Sequence, residues 1–145
     1  INGVLHECLK RTIGDRYLTR FERYGSMILD GMRWPEYVTG GLLAAVVEEP
    51  FFRGLVLPYA IQLDFGARSA GAGQHAIGIA IAALVFGACH WLRREYFPFW
   101  IWAVWEGVFF GILMVVFENV LVPMVAHALH DVIAYRIFAA LIRDR

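Results

Sequence analysis

Cysteine is nearly absent from this chain. Cys8 and Cys89 are the two it has, too few and too far apart for a disulfide framework or a metal knuckle, and both read as small hydrophobes. Net charge is absent too: 13 basic and 13 acidic side chains cancel, so nothing suggests a nucleic-acid surface. No His-Glu-x-x-His helix occurs, which removes the commonest zinc-protease signature. The chain opens at Ile1 on a polar, mixed-charge segment with none of the form of a signal peptide, and further helices upstream are compatible with it. Charge of either sign is scarce. At 18% charged and 59% hydrophobic residues, with mean hydropathy +0.56, the composition is that of a polytopic membrane protein rather than a soluble domain.

Apolar residues from Val4 to Ile28 (Leu5, Leu9, Ile13, Tyr17, Phe21, Tyr24, Ile28) recur at helical spacing, with Lys10, Arg11, Arg16, Arg20 and Arg23 largely between them. This pattern predicts an amphipathic helix, either lying in the membrane interface or packed as a linker. Asp30 to Pro35 breaks the pattern, and Trp34 and Tyr37 stand where aromatics anchor a helix at the interface. Four apolar spans follow, at 37–63, 76–92, 97–117 and 120–142, each near the roughly 20 residues a bilayer requires. The second is rich in Gly and Ala, and the third carries Gly107 and Gly111 at small-xxx-small spacing; both features favour close helix packing. The expectation is an all-α polytopic membrane bundle. Residues 1–34 would form the interfacial or linker helix, and residues 35–145 a core of four transmembrane helices. Basic residues gather before the first span, at Arg93 and Arg94, and at Arg143 and Arg145, which puts both termini on the cytoplasmic side.

Against this apolar background the stretch Val46 to Gly54 stands out, because it carries Glu48, Glu49 and Arg53. Ionisable groups within a membrane face a protein interior or a cavity, pair with one another, and mark function by default. Glu49 and Arg53 share a helical face and suit an ion pair, while Glu48 is rotated one step away from them. Pro50, between them, kinks or interrupts the helix. Glu106 is a further intramembrane acid, either functional or bonded to a neighbouring helix.

His90 closes the second span, and His127 and Asp131 share a face of the fourth. His130 points about 60° from His127 and has the weaker claim. A buried glutamate can serve as a general base near neutral pH, aided by an imidazole that orients the water or carries its proton. Peptide hydrolysis also needs donors aimed at the oxyanion, which a histidine and a hydrogen-bonding neighbour can supply. Glu48, His90, His127 and Asp131 have those parts. Three histidines also allow a zinc site with an open position.

In order and spacing these motifs resemble the glutamic-type intramembrane proteases of the CAAX-protease and bacteriocin-processing (CPBP, or Abi) family, which includes the eukaryotic CAAX prenyl endopeptidase. Glu48-Glu49-Pro50-Phe51-Phe52-Arg53 matches the first motif, Phe86-Gly87-Ala88-Cys89-His90 the second, and His127-Ala128-Leu129-His130-Asp131 the last, with the third helix at Gly107 to Gly111. The resemblance covers residues 35 to 142. It implies that Glu48 is the catalytic glutamate working with His90, that His127 and Asp131 stabilise the oxyanion, and that Glu49 and Arg53 organise the site. No cofactor and no metal are implied.

The implied partners are the lipid bilayer and a membrane-anchored protein or peptide substrate, with a C-terminal tail as one candidate. The implied location is a prokaryotic cytoplasmic membrane. Family members with immunity roles add a non-catalytic binding protein as a second reading. The chain departs from the pattern at Asp131, where the prenyl endopeptidases carry Asn: a carboxylate offers no donor unless protonated, and has instead the chemistry to orient His127. Pro50 is a second departure. The additional N-terminal membrane helices usual in the family are a third: this sequence either lacks them or replaces them with the interfacial helix.

Overall fold

The computed structural model describes Arg11, Arg23, Gly25, Ser26, Met27, Leu29 and residues 31–63 and 71–143. Most of the expected amphipathic helix of residues 4–28, and with it most of the 1–34 segment, lies outside them.

Arg33 starts the first long helix, α1 (Trp34–Phe51). Its backbone N–H donates to the Glu36 carboxylate, and its guanidinium pairs with the same group at 3.0 Å, so a helix-start donor is satisfied locally. Pro35 sits in the first turn, where a missing N–H costs nothing. Pro50, near the other end, has no N–H for the carbonyl one turn back. The helix does not break there. It widens into a π turn, Phe52–Val56, and resumes as α2 (Leu57–Gln62). Such π turns recur at functional sites, and this one carries the buried Phe52 and Arg53.

α3 (Ala72–Cys89) and α4 (Phe97–Phe117) follow, separated by a 3-10 turn at Arg94–Tyr96, and α5 (Leu121–Arg143) ends the described chain. The second span read from hydropathy ran to Leu92, but α3 stops three residues earlier. The cause is His90, whose ring Nδ1–H donates to the Phe86 carbonyl at 2.8 Å. Its backbone N–H turns instead to Gly87 O at 2.9 Å, so the residue's own side chain takes the acceptor that would have continued the helix.

The broadest packing faces are α3 on α4 and α1 on α5, with α2 against α3. Small residues make the first possible: a Cβ on Gly107 would stand 2.8 Å from the Ala83 Cα, and one on Gly87 would run into Val104. On α1 the buried residues are Tyr37, Gly41, Ala45 and Glu49, a single ridge at i, i+4 spacing that faces α5. Gly41 is the close point, since a Cβ there would lie 3.1 Å from the Ala128 carbonyl.

Every element among the described residues is helical. Ala72–Cys89 and Arg94–Phe117 are long and apolar enough to cross a membrane. α1, with Glu36, Glu48 and Glu49, and α5, with His127, His130, Asp131 and Arg136, are not counted with them.

Candidate active site

The ridge on α1 ends at Glu49, fully buried, and the π turn that follows brings in Arg53, 2% exposed. Arg53 Nη1 lies 3.1 Å from Glu49 Oε1, and Nη2 donates to the Gly107 carbonyl of α4 at 3.3 Å. The guanidinium also stacks over Phe86, 4.7 Å from the ring centroid, and near Phe110 at 5.3 Å. A charge taken this deep needs partners, and these groups hold it by ion pairing, one backbone carbonyl and aromatic faces, although Arg53 Nη1 and Glu49 Oε2 make no hydrogen bond among the described residues.

Glu49 does more than pair with Arg53. Its Oε1 receives His127 Nδ1–H of α5 at 2.7 Å, so the first and last motifs meet in a buried hydrogen bond. Phe110 stacks on the His127 ring at 4.8 Å and holds its plane. His127 Nε2 then lies 3.5 Å from Asp131 Oδ2. Glu48, one helical step round from Glu49, turns to a different wall, where its Oε2 is 3.8 Å from His90 Nε2. That separation is too long for a direct hydrogen bond, and Glu48 Oε2 accepts none among the described residues.

The spacing of the Phe86/His90 motif has a physical reason here. The Phe86 carbonyl accepts the His90 Nδ1–H, which fixes Nε2 as the nitrogen facing Glu48. The Phe86 ring packs under the imidazole at 4.4 Å while its other contacts reach Arg53. One aromatic side chain thus orients the groups of two motifs.

Glu48, His90, His127 and Asp131 line a single cavity of ≈ 170 Å³, walled by Phe86, Phe99, Trp102 and Tyr135. Leu29, just ahead of α1, lines it as well. Two groups that sequence reasoning left undecided belong to it as well: His130 Nδ1 lies 3.1 Å from Glu106 Oε1 and 3.3 Å from Asp131 Oδ1. Helical phase alone ranked His130 below His127, but the cavity is wide enough to take both. Trp102 and Tyr135 were not singled out from the sequence. Each stands one turn from a charged residue of the site, Glu106 and Asp131 respectively, and that spacing was the available signal. Among the described residues no group of three His, Cys, Asp or Glu side chains is arranged to hold a metal ion.

Acid and base groups of three separate motifs thus converge in one cavity. Residues 30–133 match the family described as type II CAAX prenyl endopeptidase Rce1-like. The chain belongs to this family. The match takes in α1 through most of α5, and with them Glu48, Glu49, Arg53, His90, Glu106, His127, His130 and Asp131. It agrees with the CAAX-protease and bacteriocin-processing pattern of the motifs. No curated protein and no solved structure matches the chain. Membership in the Rce1-like family implies CAAX-type intramembrane protease activity and a membrane-associated peptide substrate.

Proposed function

We propose that this Rce1-like chain is a glutamic-type intramembrane endopeptidase that hydrolyses a peptide bond through water activated by Glu48 and His90. The observation that carries the reading is the Glu48–His90 pair: a carboxylate oxygen with no hydrogen bond among the described residues faces an imidazole nitrogen at 3.8 Å, inside the cavity shared with His127 and Asp131. A substrate water within reach of both groups bridges such a gap. Glu48 takes one proton as the water oxygen attacks the carbonyl carbon, and His90 Nε2, acceptor by virtue of its Nδ1–H bond to Phe86, orients the water. The negative charge passes to the carbonyl oxygen. His127 carries a carboxylate at each ring nitrogen, Glu49 at Nδ1 and Asp131 near Nε2, a setting for the imidazolium, which keeps Nδ1–H on Glu49 and still has an Nε2–H to donate to that oxyanion while Asp131 steers the ring. Collapse of the tetrahedral state breaks the C–N bond, and the proton held by Glu48 goes to the leaving amine.

The membrane setting of this reading includes α1 and α5 as spans. Glu48 and Glu49 of α1 and His127, His130 and Asp131 of α5 point inward, whereas Leu42, Leu43, Val46 and Val47 of α1 and Leu121, Val125, Leu129, Ile133 and Ile137 of α5 are exposed. A helix with an apolar outer face and a charged inner one suits a bundle in lipid around a wet site, even when its mean hydropathy is modest. The substrate is then a membrane-anchored protein or peptide cut near its anchor, and positive loop charge supports an orientation with both ends of the chain on the cytoplasmic side.

The test uses purified chain in lipid, peptide libraries ending in apolar or prenylated tails, and product detection by mass spectrometry with a metal chelator present. The parent protein cleaves, and folded Glu48→Gln and His90→Ala lose about 100-fold or more, the span of general acid–base catalysis. Parental turnover in Glu48→Gln would remove Glu48 from the chemistry. Activity lost with the chelator and restored by zinc would replace this mechanism with a metal one.

A further inference from the structure

Opposite Glu48 and His90, the cavity carries a second carboxylate–imidazole pair. Glu106 of α4 is buried, and its Oε1 receives the Trp102 indole N–H from one turn earlier. The same oxygen lies 3.1 Å from His130 Nδ1, and His130 Nδ1 lies 3.3 Å from Asp131 Oδ1. Asp131 directs its other oxygen, Oδ2, at His127 Nε2 (3.5 Å) and receives the Tyr135 hydroxyl there at 3.4 Å. The contacts therefore run without a gap from Trp102 through Glu106, His130 and Asp131 to His127.

Asp131 is the weak point of that series. An ionised carboxylate only accepts, so it cannot act on an oxyanion directly, and its value lies in where it holds His127. Its contacts at 3.3–3.5 Å are all long, so no single one fixes its rotamer. His130 approaches the side of Asp131 away from His127, and Glu106 sets the position of His130 from a different helix.

We propose that Glu106 and His130 are positioning residues for the hydrolysis, a bracket between α4 and α5 that fixes Asp131 and through it the Nε2 of His127; this rests on the endopeptidase reading above. Neither group needs to touch substrate. Their effect is on the geometry in which the oxyanion meets its donor, and a misplacement there appears in kcat rather than in KM.

The experiment compares His130→Asn, His130→Phe and Glu106→Gln with the parent in lipid, reading kcat, KM, thermal midpoint and the side-chain 15N shifts of His127. Asparagine sets an N–H where Nδ1 stood, and phenylalanine keeps the ring but no donor. His130→Phe is expected to lower kcat by about 100-fold with KM changed less than about threefold, and His130→Asn to recover at least about tenfold of that loss. Glu106→Gln keeps an acceptor for Trp102 and is expected to fall between the two.

Should His130→Phe fold poorly, the comparison of His130→Asn with Glu106→Gln still decides, because both keep polar atoms in place. Equal kcat in parent, His130→Asn and Glu106→Gln, with unmoved His127 shifts, overturns the inference. A loss in His130→Asn as deep as in His130→Phe does so too, since it would make the role one of ring packing. If the parent cleaves no peptide, the endopeptidase reading fails separately, and the His127 shifts in the same variants still show whether the bracket holds the ring.

Discussion

Glu49 Oε1 lies 2.7 Å from His127 Nδ1 across 78 residues of sequence, and the same oxygen is 3.1 Å from Arg53. A single buried carboxylate thus ties α1 to α5 and the π turn to both. Breaking such a group is costly because its partners are left charged and dry; replacing it whole with apolar volume is often neutral.

That asymmetry gives the first prediction. Glu49→Gln strands the Arg53 guanidinium and should cost about 3–5 kcal/mol of stability. The double change Glu49→Leu with Arg53→Met should recover most of the thermal midpoint, since the two sites are coupled rather than additive. Turnover should not return in the double variant, because His127 has lost the acceptor of its Nδ1–H. Thermal unfolding in detergent together with the peptide cleavage assay measures both quantities. Recovery of turnover along with stability would mean that Glu49 serves the fold alone.

Phe86 supports a second prediction. Its ring contacts His90 at 4.4 Å and Arg53 at 4.7 Å, and it is 1% exposed. Phe86→Ala should cost about 3–5 kcal/mol as a cavity in the core. Phe86→Leu retains most of the volume but no ring face for the imidazole or guanidinium, and should lower turnover more than it lowers the thermal midpoint. The carbonyl that orients His90 belongs to the backbone and survives both changes, so neither variant should match His90→Ala in loss of activity. A Phe86→Leu protein with parental kinetics would show that the backbone contact alone holds His90.

Much of this architecture is legible in the sequence. α4 begins and ends where hydropathy puts it, at Phe97 and Phe117, because Glu106 is the one charged residue in an otherwise apolar helix and Pro98 marks its first turn. The Glu49–Arg53 contact follows from helical spacing alone. The end of α3 does not, since it depends on the His90 ring competing for a backbone carbonyl, which no periodicity records. Glu49 to His127 is likewise invisible to spacing, because it depends on how α1 and α5 are rotated against each other. His130 and Glu106 meet for the same reason: the rotation of α4 against α5 sets which acid faces which imidazole. Pattern reading finds the groups of a site, and packing decides their pairing.

Gly107 bears on that packing directly. A Cβ there would stand 2.8 Å from the Ala83 Cα and 3.2 Å from its carbonyl oxygen, so backbone rather than a flexible side chain blocks it. Gly107→Ala should force α3 and α4 apart and cost about 1–3 kcal/mol. Its carbonyl is also the acceptor for Arg53 Nη2, so turnover should fall with stability. Ala83→Gly removes only the Cβ and should rescue the thermal midpoint in part. Complete rescue would place the strain at the Ala83 side chain instead of its backbone.

The outer face of α5 tests the membrane assignment of the helices that hydropathy alone does not carry. Leu121, Val125, Leu129, Ile133 and Ile137 follow one another at every fourth position and are each 54–59% exposed, while His127 on the inner side is buried. In water that stripe would be a large apolar patch needing a cover; in a bilayer it meets acyl chains. Single cysteines at 125, 129 and 133, introduced with Cys8 and Cys89 changed to alanine, should resist a water-soluble maleimide in intact membranes. They should react once detergent or a membrane-permeant reagent is supplied. A cysteine in place of Trp91, which is exposed beyond the end of α3, serves as the water-facing control. Rapid labelling of all three α5 positions by the soluble reagent, at the rate of the control, would put α5 outside the lipid and leave the span count at the two helices that hydropathy supports.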